Sequence, residues 1–314
     1  MAFLSRGVRA AAVAVAAAAF VVATTPAAAQ EGISVTRCRA LTYFNVFSIG
    51  DLHLERTTVS GPLAVGGNAR LSDVAVNSDG TCAASALTPW LPALAVSGRV
   101  HARGGSVKAG PVILRRGVWL GPTVNRKCAG VLHGPIDFDG LAASHLQRHG
   151  VICARREELC RTVVDDDGDI TMTVRQAVSP SGIAAVATCI VRADDIGIAR
   201  KVTVVGRRGL QVVVVKVVGD RGRGGKSLTL ANTKFRGMDA IYLAIVLCDV
   251  PSLVIDNVEM PAALVGPTTH LSGVSGVLHG TVVVKSLRGR LTFRHEPTDC
   301  GRLRPADASR APRQ

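Results

Sequence analysis

The chain has 314 residues, 47% of them hydrophobic and 4% aromatic, with 37 Lys and Arg against 23 Asp and Glu and a formal net charge of +14. That apolar content excludes wholesale disorder, and the length allows one large domain or two ordinary ones. Abundant Val, Ala and Gly argue against a helix bundle, which draws on Leu, Glu and Lys, and favour thin stacked β layers.

Residues 1–29 read as a secretory signal peptide. Arg6 and Arg9 supply the positive start, Ala10 to Ala23 the apolar middle, and Ala27-Ala28-Ala29 a small-residue cleavage site before Gln30. The apolar run falls short of the roughly 20 residues that span a bilayer, so no stable membrane anchor is expected. Removing the two Arg leaves 35 basic against 23 acidic residues, a mature charge of +12. A basic exported chain can meet acidic polysaccharide, anionic membrane or nucleic acid. Its cations are scattered in pairs such as Arg115-Arg116, Arg155-Arg156 and Arg207-Arg208. That scatter reads as solubility and weak electrostatic adhesion.

Residues 43–77 read as short strands broken by Gly turns. Phe44 and Val46 alternate with polar neighbours, as do Leu52 and Leu54, while Ser60-Gly61-Pro62 and Gly66-Gly67-Asn68 turn the chain. Paired Gly before Asn suits positions that need a positive φ. Val59-Ser60-Gly61 is echoed by Val96-Ser97-Gly98, and Gly-Val-Leu-His-Gly occurs at 130–134 and again at 276–280. Each is followed by an alternating run. A Gly turn and a short β run, irregularly repeated, is what a chain winding round corners requires. His133 and His279 in those repeats read as sharing a corner role.

Residues 137–161 break the pattern and read as the one substantial helix. Phe138, Leu141, His145 and Ile152 fall near one stripe with Leu146 and His149 beside it, Asp137 or Asp139 can cap the start, and Arg155, Arg156 and Arg161 suit the end. A hairpin round Asp165-Asp166-Asp167-Gly168-Asp169 follows, then strand-like runs at 201–205, 212–218, 241–248 and 252–258.

Cys38, Cys82, Cys128, Cys153, Cys160, Cys189, Cys248 and Cys300 all lie in the mature chain. An even count in an exported protein favours disulfides, and no Cys-x-x-Cys pair points to a zinc ribbon. Eight Cys allow up to 105 connectivities, and sequence does not choose among them. Cys153 and Cys160, about 10 Å apart if one helix carries both, are too distant to bond to each other.

The opening stretch resembles the signature of the choice-of-anchor A family of secreted adhesive domains. Asn45, Val46, Phe47, Gly50, Asp51, Val59, Gly61, Ala64, Val65, Gly66, Gly67 and Asn68 carry the match. At the far end Gly280, Lys285, Ser286 and Leu287, in the run Gly-Thr-Val-Val-Val-Lys-Ser-Leu, match the family's closing strand. Asp137-Phe138 resembles the pair that opens the family's helix. The closing His-x-x-Pro-Phe is only echoed in His295-Glu296-Pro297, and the extra Cys depart from the family's bacterial members. The resemblance implies an all-β domain over residues 38–298, an irregular right-handed parallel β-solenoid with one flanking α-helix. A disordered basic tail, 299–314, follows it.

Several stretches invite a sharper chemistry and fail on spacing. Residues 219–227 look like a phosphate-binding loop, but Asp220 stands where Gly is needed and a strand-like run follows. His145 and His149 have the one-turn spacing of helical zinc sites, yet Leu146 replaces the catalytic Glu and no third ligand is evident, so two partly exposed helix His are expected. Residues 165–169 could attract calcium, but Gly168 and Gln176 do not fit an EF-hand. No catalytic residues, cofactor or metal ligands are assigned. Trp90, Trp119, Tyr43 and Tyr242 are the aromatics open to sugar stacking, and their scarcity argues against nucleic acid.

The expectation is a secreted, non-enzymatic adhesive module that engages a polysaccharide or matrix protein at an extracellular surface. An ice-binding-like protein, which would need a flat regular Thr face, and a polysaccharide-acting enzyme with clustered acids in a groove are the alternatives.

Overall fold

The computed structural model describes residues 43–82, 92–116, 118–120, 124–128, 130–134, 136–156, 158–175, 186–206, 212–220, 227–237 and 243–296, all within a compact unit spanning 33–314. The expected signal peptide and basic tail, Cys38, Cys300, Trp90, Tyr242 and residues 221–226 of the phosphate-loop lookalike lie outside the described residues.

Nearly every strand pairs in parallel with one from the next turn of the chain, so the strands stack into three faces. The first face carries Val46–Ser48, Leu63–Val65, Leu94–Val96, Val112–Leu114 and Val131–His133 in succession. On the other side of Val46–Ser48 it continues through residues 282–284, 264–266, 244–246 and Val212–Val218 to Val186–Arg192. The chain therefore starts in the middle of the stack and builds outward to Val131–His133. It crosses through a helix and resumes at the opposite end. From there it returns turn by turn until residues 282–284 pair with Val46–Ser48. The hairpin of Cys160–Val164 and Ile170–Val174 is antiparallel and forms that opposite end.

The true repeat is one turn of the stack. Val46 to Leu63 is 17 residues, Leu94 to Val112 is 18, Val112 to Val131 is 19 and Leu264 to Val282 is 18. Leu63 to Leu94 takes 31 because a longer excursion intervenes. The two Gly-Val-Leu-His-Gly copies do not share a corner. Residues 131–133 pair on the first face with 112–114, whereas residues 277–279 pair on the third face with 292–294.

A narrow interior explains the composition. Val46, Leu63, Leu94 and Val112 lie in line and fully buried, one per turn. Each such side chain contributes about 1.5–3 kcal/mol relative to exposure. On the first face the outward positions are apolar as well. Phe47, Ala64, Ala95 and Val283 are buried with Phe138 in a second cluster. The helix α1, Phe138–Ala154, covers them. That is why Leu63–Val65 and Leu94–Val96 are buried at all three positions instead of alternating.

α1 is shorter than its sequence pattern. It ends at Ala154, with Arg155 as its C-cap, and its start is fixed by Asp137, whose carboxylate accepts the Gly140 N–H at 2.8 Å. Lys216, buried in the strand beneath, donates to the Cys153 and Arg155 carbonyls at 2.9 and 2.6 Å, satisfying acceptors that a helix end leaves open. A second short helix, α2 at Ala193–Ile198, was not expected; its Ile196 fills the interior.

Gly66 and Gly67 are required for a different reason from the one their sequence suggests. Neither is among the positive-φ residues. They sit where consecutive turns touch backbone to backbone: the Gly67 N–H donates to the Gly50 carbonyl, and the Gly98 N–H to the Gly67 carbonyl. A Cβ on Gly66 would strike the Ile49 carbonyl, and one on Gly67 would strike Asp51. Three disulfides tie turns together among the described residues: Cys82–Cys128, Cys153–Cys248 and Cys160–Cys189.

Candidate functional site: a basic row on the open face

Among the described residues no helix lies across the second face. Its strands alternate strictly, because one side of each faces the interior and the other faces water. Leu52 and Leu54 point in and His53 out; Ala69 and Leu71 in and Arg70 out; Val100 and Ala102 in and His101 out. Register aligns the outward positions into one row of seven rungs: Thr229, Val254, Ser272, Arg288, His53, Arg70 and His101, while the Trp119 side chain lies outside the described residues. Parallel neighbours lie about 4.8 Å apart, so the row is a ruler along the stack.

Its centre is an open depression of about 780 Å³ that includes Arg70, Arg99, Arg116, Arg288, His53 and His101, with Asp51 as its acid. The four arginines are exposed. Asp51 is committed to the corner: its Oδ1 accepts the Asn68 backbone N–H at 2.7 Å and the Asn68 amide at 3.1 Å, while Asn68 Oδ1 accepts the Arg99 N–H at 3.0 Å. No described carboxylate forms an ion pair with Arg70, Arg99, Arg116 or Arg288, whereas Arg290 and Arg115 meet Glu55 and Asp139 at 3.9 Å. Two guanidinium groups two rungs apart, roughly 10 Å, repel by about 0.4 kcal/mol in bulk water and a few-fold more near a protein surface. The row is thus a local excess of positive charge, held at some cost and open to anions.

Arg70, Arg99, Arg288, His53 and His101 were not singled out in the sequence, because their sequence neighbours do not mark them. The signal was the alternation itself in His-Leu-Glu and Arg-Val-His-Ala-Arg, which places each cation outward.

Four of the matched family residues, Asp51, Asn68, Ser286 and Leu287, line this depression, and the others sit around it at the junction of the first and last turns. Asn45, fully buried, donates to the Gly280 and Arg294 carbonyls at 2.6 and 3.1 Å and accepts the Gly61 N–H at 3.3 Å. Phe47 is under α1, with its ring 5.3 Å from the His145 ring. Gly50 donates to the Lys285 carbonyl at 2.7 Å, Ser286 hydrogen-bonds His270 at 2.6 Å, and Leu287 stacks between Leu52 and Leu271. Gly61 abuts His295, and Gly280 takes φ +79° at the turn into the closing strand.

The remaining candidates resolve as structure. His149 is buried, not partly exposed as expected: its Nε2 donates to the Leu247 carbonyl at 2.7 Å. Cys153 and Cys248 join it in a group of potential metal ligands within 4.8 Å, but those two sulfurs are bonded to each other. Burial, with the Arg148 charge beside it, lowers His145 to about 4. Asp165 spends its carboxylate on the Asp167 and Asp169 N–H groups of its own hairpin. Burial pushes the Tyr43 phenol above its usual range, and its hydroxyl donates to the Pro92 carbonyl at 3.0 Å. Glu259 and Glu296 flank the buried His279 at 3.2 and 2.7 Å on the third face.

A fold of parallel turns with one covered and one open face matches a family model described as "Putative Ice-binding-like adhesive domain" over residues 38–295, and the chain belongs to that family. Among solved structures, an ice-binding protein from the Antarctic ascomycete Antarctomyces psychrotrophicus is similar, at 12% identity and a TM-score of 0.41, over 82% of this chain and 96% of that one. That likeness is too distant to bear on function. Among curated proteins none matches. No helix of the described residues is long and apolar enough to cross a membrane.

Proposed function

We propose that this chain is a secreted, non-enzymatic adhesive module of the choice-of-anchor A type, a right-handed solenoid spanning residues 38–298. It engages an extracellular polymer or surface through its open face. The observation that carries the reading is the in-register outward row of seven described rungs, left uncovered by any described helix while the equivalent positions of the first face lie under α1. A regular face on a paired backbone presents side chains at fixed spacing with no backbone left to order on binding, which suits adhesion to a repeating surface. The disulfides favour an oxidising compartment, in keeping with the signal-peptide pattern of residues 1–29.

The test is a retention screen of the mature protein on collagens, acidic glycans, cell walls and ice. Retention on at least one surface, lost when outward residues of the open face are changed, supports the reading; no retention on any of them overturns it. Release of reducing ends from a bound polysaccharide would overturn the non-enzymatic part. An ice-binding role finds a start in Thr229, Val254 and Ser272, but the same row continues into Arg288, His53 and Arg70. Thermal hysteresis by the wild-type chain would establish it.

A further inference from the structure

We propose that the open face takes an acidic polysaccharide, laid along the stack and held through Arg70, Arg99, Arg116 and Arg288. This rests on the adhesive reading and assigns its ligand class.

Residues far apart in sequence converge here. Arg288 comes from the last turn, His53 and Arg70 from the first two, and they occupy successive rungs of one row. Arg99 and Arg116 belong to later turns and line the same depression. The acid of that depression, Asp51, is already engaged by Asn68, and the four guanidinium groups have no described carboxylate partner. On an ordinary surface, cations and anions are interspersed, and gathering unpaired guanidinium groups on alternate rungs of one row is unfavourable through their mutual repulsion. Here the arrangement becomes favourable when an anion supplies the missing charge.

Arginine rather than lysine also narrows the ligand. Its planar fork forms paired hydrogen bonds to carboxylate, sulfate or phosphate oxygens. The rungs are evenly spaced and the depression is open, so the complementary ligand is linear and carries repeated anions. Aromatics are only 4% of the chain, few for the base stacking that single-stranded nucleic-acid binding draws on, which favours a polysaccharide. Uronate carboxylates and sulfate esters offer the same chemistry to this site, and the probes below separate them.

The experiment measures binding of the full mature chain to a sulfated glycosaminoglycan, to polygalacturonate and to neutral dextran. Single-stranded DNA and phosphatidylserine vesicles serve as other polyanions. The double variant Arg70→Glu/Arg288→Glu is compared with Lys234→Glu/Arg236→Glu, which changes net charge equally using exposed cations of the third face. All four positions are outward, so circular dichroism and the melting temperature should remain those of the wild type. The expected result is binding to one or both acidic polysaccharides and not to dextran, weakened by salt. The open-face variant should lose about tenfold or more, because charge-assisted hydrogen bonds to the anion are lost and two carboxylates repel it. The third-face variant should change little. Binding to the sulfated chain alone identifies sulfate as the anion, and binding to polygalacturonate alone identifies carboxylate. Equal loss in both variants would reduce the site to net charge and overturn the proposal. Tighter binding to DNA or vesicles, abolished by the same open-face variant, would overturn the ligand class. Failure on both acidic polysaccharides while collagen, cell wall or ice still retains the protein defeats this inference alone. Failure on every surface defeats the adhesive reading with it.

Discussion

Asn45 is the most informative single position for the architecture. Its amide reaches from the first turn to the last, donating to the Gly280 and Arg294 carbonyls at 2.6 and 3.1 Å and accepting the Gly61 N–H at 3.3 Å, with no exposed surface of its own. Asn45→Ala removes all three bonds. Each contributes a net of about 1 kcal/mol, and buried groups left without partners cost about 1–3 kcal/mol each. The Arg294 carbonyl keeps a second donor in the Gly280 N–H at 3.0 Å, so it is not left bare. The expected loss is therefore about 3–4 kcal/mol, a large share of the roughly 5–15 kcal/mol that holds a domain folded.

The nearly isosteric Asn45→Asp decides between packing and hydrogen bonding. At neutral pH it keeps an acceptor for Gly61 but turns a carboxylate oxygen toward two carbonyl oxygens. If hydrogen bonding matters, Asp should be worse than Ala; if volume alone matters, Asp should be mild. Burial and those carbonyls raise the pKa of this carboxyl in the folded state, because the protonated form can donate. The Asp variant's deficit relative to wild type should then be largest above that folded pKa and should shrink as pH falls toward the unfolded value. Urea titrations of the wild type and both variants at neutral and acid pH measure this. An Asp variant within about 1 kcal/mol of wild type at neutral pH would refute the reasoning.

Three further outcomes follow from the same geometry. Replacing Cys153 and Cys248 with Ala opens a loop of 95 residues and should cost about 4–5 kcal/mol on the chain-entropy account, against about 3–4 for the 29-residue Cys160–Cys189 loop, read by denaturant titration. Gly67→Ala drives a Cβ into Asp51 and to 2.6 Å from the Gly50 carbonyl carbon, so it should lower stability by about 2 kcal/mol or more, while Gly150→Ala, which meets nothing, should raise it by about 1 kcal/mol. His145, lowered to about 4 from an ordinary 6.5, binds its proton more readily unfolded than folded; stability should fall as pH drops from about 6.5 to 4, by at most about 3 kcal/mol, and His145→Leu should flatten that segment of the pH–stability curve.

Parts of this structure were open to reading from the sequence, and the reasons are local. The hairpin at 160–174 and the α1 segment announce themselves through an Asp-Gly turn, an Asp cap and an apolar stripe, all set by near neighbours. The turn-by-turn repeat was not open to reading. Three-residue strands such as Leu63–Val65 give no periodicity to count, and the 31-residue step to Leu94 breaks the 17–19-residue rhythm. Matching Val59-Ser60-Gly61 with Val96-Ser97-Gly98 paired unlike corners: the register partner of Val96 is Val65. The same blindness made the basic residues look scattered. His53, Arg70, His101 and Arg288 become neighbours only when the turns stack. Lys216 interrupts the apolar run 212–218, and no local pattern marks it as the residue that closes the end of α1.

The position of the basic depression within the stack ties binding to folding. It straddles the junction where the last turn, bearing Arg288, pairs with the first, bearing His53 and Arg70. That pairing spans almost the whole domain in sequence, so its loop-closure entropy is met only after the intervening turns are in place. Val46–Ser48 must hold its edge open until residues 282–284 arrive. On that argument the depression is expected to gain its Arg288 contribution late in assembly, and Asn45, which spans the same junction, supports the site without lining it. A chain in which that junction frays while the remaining turns persist should bind a polyanion as the Arg288→Glu variant does. Hydrogen exchange confined to residues 282–289 and 45–54 would register the fraying. Full binding by such a frayed chain would mean that Arg288 is not part of the site.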